Sequence, residues 1–429
     1  MKITQTKDIR AANRWEIIKQ ILHNYPISRV DICSLTGLNK ATVSTIVKEW
    51  IDAGLLTETE LGKSASGRKP ILLQPVLSVG YVIAVDIDVR NVQTILTDLS
   101  GERICPEENF PLKTQTFSAV YGQICGALDE MLNGQPKTLY GLVGIGISVH
   151  GIVDLSGLIR FVPSLGWRNI DICTLLGERY HVPINIDNDG NLAAIAQQNI
   201  EIAPSEQEDG QAAKAAYQSL AAVNISDSIS AGLITNGELL RGYHGFANAI
   251  GHHTINFDEP RQCHCGKFGC WEQYCSDSAV IAYANSLLPA PIKSIQELVV
   301  LIQHQNPTAQ KVLDRFISYL AIGLTNIIFI FDCQVISLSS ELLSALPYYL
   351  PEVLRRMILP ITHSEQVVLS HLGKNGAILG AAGQTIDQFF PRDRQYRTGS
   401  LIFIRSAVTK EEPVSGLLFS LMIRSFEES

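Results

Sequence analysis

At 429 residues the chain is long enough for two or three domains, and 46% hydrophobic against 18% charged residues suits a globular protein with a large core. No apolar run reaches membrane-spanning length; the polar N-terminus has no signal-peptide core, and an odd count of nine cysteines fits reduced cytosol, so a cytoplasmic protein without membrane insertion is expected. The net charge of −8 hides an asymmetry: residues 1–76 hold 11 Lys and Arg against 7 Asp and Glu, the remainder 23 against 35, so only the N-terminal end invites a polyanion.

Ile17, Ile18, Ile21 and Leu22 give a first helix one apolar face, and Pro26 ends it. Ser28 caps a short helix running through Leu35, which Gly37 breaks, and Asn39 is a good N-cap for the next. In that third helix Val43, Ile46, Val47, Trp50 and Ile51 repeat at helical spacing and form a buried stripe, while Lys40, Thr42, Ser44, Thr45 and Lys48 occupy the other face. Gly54 ends it, and Leu55-Leu56 opens the first strand of a wing. Helix, glycine turn, helix and wing is the plan of a winged helix-turn-helix, with hydroxyls and lysines where base edges and phosphates are reached. A small helical packing module with a solvated face would show the same pattern. The following Gly62–Pro70 stretch is flexible, basic and free of acids; Arg68 and Lys69 suit a narrow minor groove, although a plain linker reads alike.

Beyond residue 76 the pattern becomes α/β. Tyr81–Ile87, Val92–Asp98, Val143–Val149 and Val182–Asp187 read as strands, the last followed by Asn188-Asp189-Gly190 and a helix to about Asn199. Residues 201–218 read as an exposed connection. Ala221–Ile225 and Ala231–Ile234 begin a second set of strands, completed by helical sequence from Gln310 to Phe331 and a strand at Val335–Leu338. The expected division is a DNA-binding unit with its basic linker at 1–76, lobes at 77–200 and 201–385, and a tail of unknown role at 386–429. That tail holds a strand-like Leu401–Ile404 and an apolar patch from Leu417 to Ile423.

Within the second lobe, Cys263, Cys265 and Cys270 lie close together, preceded by His252-His253. Zinc takes four thiolate or imidazole ligands in a tetrahedron, and Gly266 and Gly269 let the loop aim three sulfurs at one point. Cys-x-Cys is poor disulfide geometry, so a structural metal is preferred over buried thiols. His252 or His253 supplies the fourth ligand.

Gly251-His252, followed by Cys-x-Cys-Gly-x-x-Gly-Cys-x-Glu, resembles the signature of the ROK family (repressor, open reading frame, kinase), and the resemblance runs from about residue 10 to 385. It is nearest to the xylose-repressor and N-acetylglucosamine-repressor branch, whose winged helix-turn-helix and Gly-Arg linker family kinases lack. It implies two actin-like α/β lobes flanking a cleft, with zinc on His252, Cys263, Cys265 and Cys270. It also implies a sugar effector met by Gly151, Asn188, Asp189, His252 and Glu272. In the kinases the residue matching Asp189 is the general base; an N-cap role is the bland alternative.

Several positions depart from the family pattern. One extra residue separates the His from the first Cys. Ala249 stands where a sugar-binding Glu is usual, and Ser164 where an Asn is usual. The phosphate turns, glycine-rich in the kinases, read here Asp86-Ile87-Asp88-Val89-Arg90 and Ser226–Gly232, and a later Gly-Gly is Ser339-Ser340. A phosphate cradle needs bare backbone amides, so carboxylates there oppose ATP. The expectation is a sugar-responsive repressor without enzyme activity, binding operator DNA as a homodimer or homotetramer. A sugar kinase with an appended domain, and a DNA-binding regulator switched by a protein partner, are the alternatives.

Overall fold

The computed structural model describes residues 6–61, 70–198, 217–247, 249–258, 260–357 and 366–390. The N-terminal unit comprises α1 (Thr6–Asn24), β1 (Ile27–Ser28), α2 (Arg29–Thr36), α3 (Lys40–Asp52), β2 (Leu56–Leu61) and β3 (Ile71–Pro75). Local chemistry sets each boundary. The Ser28 hydroxyl accepts from Asp31 N, and the Asp31 carboxylate accepts from Ser28 N, a reciprocal cap on α2. Gly37 closes α2 at φ 70°, and Asn39 Oδ1 caps α3 by accepting from Thr42 N at 2.9 Å. Ile17, Ile18, Ile21, Val43, Ile46, Val47 and Trp50 are buried, whereas Ile51, at the margin of the stripe, is half-buried. The three strands pair in the order β1-β3-β2 and form the wing.

The first lobe follows with β4 (Gly80–Ile87), β5 (Asn91–Asp98), β6 (Glu108–Pro111), α4 (Phe117–Asn133), β7 (Gly141–Val149), β8 (Ile152–Val153), β9 (Ile159–Val162), β10 (Trp167–Ile170), α5 (Ile172–Tyr180), β11 (Ile184–Asn188) and α6 (Asp189–Gln198). The second lobe contains β12 (Ser219–Ile225), β13 (Ile229–Thr235), β14 (Glu238–Leu239), α7 (Glu272–Cys275), α8 (Asp277–Asn285), α9 (Ile295–Gln303), α10 (Pro307–Phe331), β15 (Val335–Ser340), α11 (Glu341–Ala345), α12 (Leu350–Met357) and β16 (Val367–Leu369). The last helix is α13 (Gly376–Phe389).

The sheets run β11-β7-β4-β5-β6 and β14-β13-β12-β15-β16. In each, three antiparallel strands are followed by two parallel additions, so the lobes share one topology. Helices α6 and α13 join the lobes. A Cβ on Gly232 would lie 2.2 Å from Gly190 O, and one on Gly380 would lie 1.9 Å from Leu192 O, so only glycine allows β13 and α13 to approach α6 this closely. The boundary at residue 385 falls inside α13, which packs on β4 and β7 of the first lobe. The core of the N-terminal unit continues into Ile378, Leu379 and Ile386 of α13, and Tyr140 Oη donates to Ala53 O at 2.7 Å.

The helix α10 is long and apolar enough by composition to match a membrane span, because its scattered polar residues do not offset the aliphatic ones. Its buried residues, Leu313 to Ile328 among them, form the second lobe's core, the pattern of a core helix. Residues 199–216, Arg68, Lys69 and the stretch from 391 to 429, with its strand-like Leu401–Ile404, lie outside the described residues.

Candidate functional site

Parallel pairing of β7 and β11 sets Val149 opposite Asn188. The residues that follow, His150-Gly151 and Asp189-Gly190, therefore emerge side by side at the C-terminal edge of the sheet, where open α/β sheets take ligands. Asn188, not Asp189, caps α6: its Oδ1 accepts from Gly190 N at 2.9 Å and Asn191 N at 3.4 Å, while its Nδ2 donates to Gly151 O at 2.9 Å. That frees the Asp189 side chain. Its Oδ2 accepts from Ser230 Oγ at 2.6 Å and lies 3.1 Å from His150 Nδ1; its buried Oδ1 has no partner among the described residues. Ser228 Oγ is 3.0 Å from the same His150 nitrogen, and His150 Nε2 stands 4.0 Å from Glu272 Oε2. Glu272 itself accepts from Ile229 N at 3.4 Å.

The electrostatics follow from this enclosure. Burial alone would lower the His150 pKa, but the Asp189 charge and hydrogen bond, then Glu272 and Asp88, outweigh it and lift it to about 9. Burial would raise Asp189, yet His150, Ser230 and the Gly190 amide hold it below its ordinary value. From the sequence His150 was passed over, and Ser228 and Ser230 were read only as part of the altered phosphate turn. The available signal was a histidine directly after a buried strand and before a glycine.

Two cavities meet at this cluster. The larger, about 490 Å³, is lined by Arg90, Pro163, Ser164, His252 and Glu272; the smaller, about 40 Å³, by Gly151, Asn188, Ala249 and His252, and His150 lines both. Gly151, Asn188, His252 and Glu272 are thus gathered around one cleft, whereas Asp189 lies behind His150 and lines neither cavity. The Ser164 Oγ is buried without a partner among the described residues.

The phosphate turns face each other across the same cleft. Arg90, after β4, donates to Asp227, between β12 and β13, through Nε at 2.5 Å and through Nη2. The Asp88 carboxylate accepts from Val89 N at 2.7 Å, and Asp277 N donates to Ser226 O at 2.6 Å. Burial raises Asp88 and pushes Asp86 and Asp277 up to about 7. One turn amide, Val89 N, is thus taken by a side chain, and the Arg90–Asp227 pair bridges the two turns.

In the cysteine loop, one ligand atom each from His252, Cys263, Cys265 and Cys270 lies within 4.8 Å of the others, a cluster able to hold a metal ion. Cys265 Sγ is 3.7 Å from Cys270 Sγ, and Cys263 Sγ 3.5 Å from His252 Nδ1. The left-handed Gly266 and Gly269, at φ 93° and 75°, shape the loop. His253 is excluded from the set: its ring stacks on Trp271, centroids 5.4 Å apart, with Nε2 3.4 Å from Asn326 Nδ2. Burial raises the Cys263 thiol and pushes Cys270 up to about 11, so thiolates here require a neighbouring cation.

On α3, Lys40, Ser44, Thr45 and Lys48 are exposed and Thr42 is half-buried. Of the two acids on this helix, Glu49 is paired by Arg14 at 2.9 Å and by Arg10, both from α1, and Asp52 lies in the last turn, away from Lys40 and Ser44. The exposed face of α3 therefore keeps its lysines.

A family model described as the ROK family matches residues 82–387. The chain is 33% identical over 394 residues to a xylose repressor from Bacillus spizizenii, covering 91% of this chain and 98% of that protein. A crystal structure of a ROK family transcriptional regulator, described as a homolog of the E. coli MLC protein, superposes with a TM-score of 0.71 at 22% identity, over 89% of this chain and 97% of its own. A ROK family glucokinase from Streptomyces griseus, in complex with glucose and AMPPNP, matches with a TM-score of 0.59 at 21% identity, over 71% of this chain and 98% of its own. The glucokinase match covers a smaller share of this chain than the regulator match does, and both confirm the fold. By its motif, its two-lobed fold and its sequence, the chain belongs to the ROK family.

Proposed function

We propose that this chain is a sugar-responsive transcriptional repressor that binds operator DNA and releases it when a sugar occupies the cleft. The observation that carries this is α3: a capped helix with an exposed Lys40, Ser44, Thr45, Lys48 face, beside a wing, on a ROK body. Thr42 joins these contacts, and Arg68 and Lys69 take the adjacent minor groove. The relative named xylose repressor makes D-xylose the first effector to test. Gly151, Asn188, His252 and Glu272 contact it, with Asp189 behind them.

Enzyme activity is not part of this reading, because Arg90 and Asp227 fill the phosphate turns with an ion pair. Zinc is the metal, since three thiols and one imidazole fill a tetrahedral set and leave no open position for catalysis. It braces the loop that ends at Glu272. The functional units are 1–76 for DNA and two lobes divided near residue 200, with α13 (Gly376–Phe389) returning to the first lobe instead of ending the second at 385, and the residues after it as a further segment. The repressor works in the cytoplasm as a homodimer or homotetramer, matching a two-fold operator.

Genomic fragments bound by the full chain, titrated at fixed salt with and without D-xylose and other aldoses, test the reading. Specific binding that weakens with one sugar is the expected result. Sugar-blind specific binding would return the partner-switched alternative, and no specific binding would overturn the repressor reading.

A further inference from the structure

The carboxylate deepest in the cleft is walled off from it. Asp189 is 6% exposed and lines neither cavity, whereas His150 lines both. The imidazole is held from both lobes, 3.1 Å from Asp189 Oδ2 in the first and 3.0 Å from Ser228 Oγ in the second. Ser230 covers Asp189 from another side at 2.6 Å. A ligand reaching the floor of the cleft therefore meets the edge of a ring, and that ring is fixed by partners it gives up only at a cost.

We infer that His150 is a specificity-determining residue of the effector pocket, its ring filling the place of a hexopyranose hydroxymethyl arm and so selecting a pentopyranose. This rests on reading the cleft as a sugar site. A hydroxymethyl arm adds bulk and a hydroxyl that must find a partner once buried. The carboxylate that would accept it, Asp189, is already engaged by His150 and Ser230. Entry of the arm requires the imidazole to leave, which strips the buried Asp189 of its partner. A pentopyranose makes no such demand. Its ring hydroxyls can use groups that still have capacity at the cavity surface. His150 and Glu272 both line the larger cavity, and His150 Nε2 and Glu272 Oε2 are 4.0 Å apart, too far to satisfy each other. One hydroxyl accepting from the first and donating to the second would close that gap.

D-xylose and D-glucose, as pyranoses, differ only in the hydroxymethyl group at C5, so the pair isolates the arm. Calorimetric titration of the full chain should give D-xylose an affinity about tenfold or more above that of D-glucose, the scale of one misfitting group in a shaped pocket. His150→Ala should raise D-glucose affinity by about the same factor and leave D-xylose equal or weaker. His150→Asn, shorter but still a donor to Asp189, should shift the ratio the same way and guards against misfolding of the first variant. 6-Deoxy-D-glucose, bearing a methyl arm, should be refused by the wild type as D-glucose is. Equal binding of the two sugars by the wild type overturns the inference. So does an unchanged ratio in both variants when circular dichroism shows them folded. Binding of neither sugar by the wild type removes the sugar reading itself, and the inference with it.

Discussion

Arg90 and Asp227 form an ion pair that joins the turn after β4 to the turn between β12 and β13. These are the turns a ROK kinase uses for phosphate, one from each lobe. The pair is partly solvent-exposed and contributes little to stability. It bridges the two turns with a guanidinium and a carboxylate, and the proposed lack of kinase activity rests on that. The expected outcome is no ATP-dependent phosphorylation of glucose, xylose or N-acetylglucosamine in a coupled assay of ADP release. Turnover that disappears in Asp189→Asn would overturn this, because it would require Asp189 to reach a substrate hydroxyl past His150.

The second prediction concerns the metal. Elemental analysis of purified protein should find one zinc per chain, held by His252, Cys263, Cys265 and Cys270. Binding free energy at such a site is folding free energy, so Cys265→Ser should cost more than ~2 kcal/mol of stability. His253→Ala should leave zinc content unchanged, because His253 packs on Trp271 instead. Zinc lost equally in both variants would count against the choice of His252.

Much of this architecture was legible in the sequence, for physical reasons. Capping residues and glycines act locally, so Ser28, Gly37, Asn39 and Gly54 marked the helix-turn-helix boundaries directly. The hydrophobic runs of β4, β7 and β12 are buried strands and read as such. Short edge strands such as β6 and β14 carry no run long enough to register. The strand expected from Val182 begins at Ile184, since Pro183 has no N–H to give the ladder, although its carbonyl accepts from Ile145 N. His150 was missed because its role depends on residues 78 and 39 positions away, Ser228 and Asp189, which only the folded cleft brings together. The metal set was legible because three of its four ligands lie in one loop.

DNA contacts divide by chemistry. Lys48 is exposed on α3 and suits a phosphate, so Lys48→Ala should weaken binding to all sequences and reduce the salt slope by about 1. On the proposed minor-groove contact of Arg68, Arg68→Ala should cost ~1–3 kcal/mol at the operator. Removal of residues 1–76 should abolish binding. Operator binding by the truncated body in an anisotropy titration would refute the assignment of DNA to that unit.

The pH dependence of stability should carry the mark of His150. Its folded pKa, about 9, lies above the ordinary 6.5, so the stability it contributes is complete below pH ~6.5 and is lost as pH rises through ~9. Asp86 and Asp277, pushed up mainly by burial to about 7, act in a lower window. Their retained protons erode stability as pH rises from about 4 to 7. Melting temperature should therefore fall between pH 7 and 9.5 in the wild type, and His150→Gln should flatten that fall. An equal slope in the variant would assign the loss to another group.

The last prediction concerns Ala249. The family places a Glu there, and a charged acceptor to a sugar hydroxyl is worth ~1.5–3 kcal/mol. Ala249 lines the smaller cavity beside Asn188 and His252, so a carboxylate at this position would reach the same cleft. His253 does not replace it, because its ring faces Asn326 and Trp271; Asn248, the other candidate, lies outside the described residues. Ala249 is also exposed in the sugar-free protein, so the added charge stays hydrated and carries no burial penalty there. Ala249→Glu should then leave the melting temperature unchanged and raise the affinity for the effector sugar by roughly tenfold to a hundredfold. Operator release should shift to lower sugar concentration by the same factor, since ligand and DNA binding are linked. Calorimetry with xylose, glucose and N-acetylglucosamine, on both proteins, makes the comparison. Unchanged affinity for all three, in a variant as stable as the wild type, would show that the sugar does not pass position 249 and would favour regulation by a protein partner.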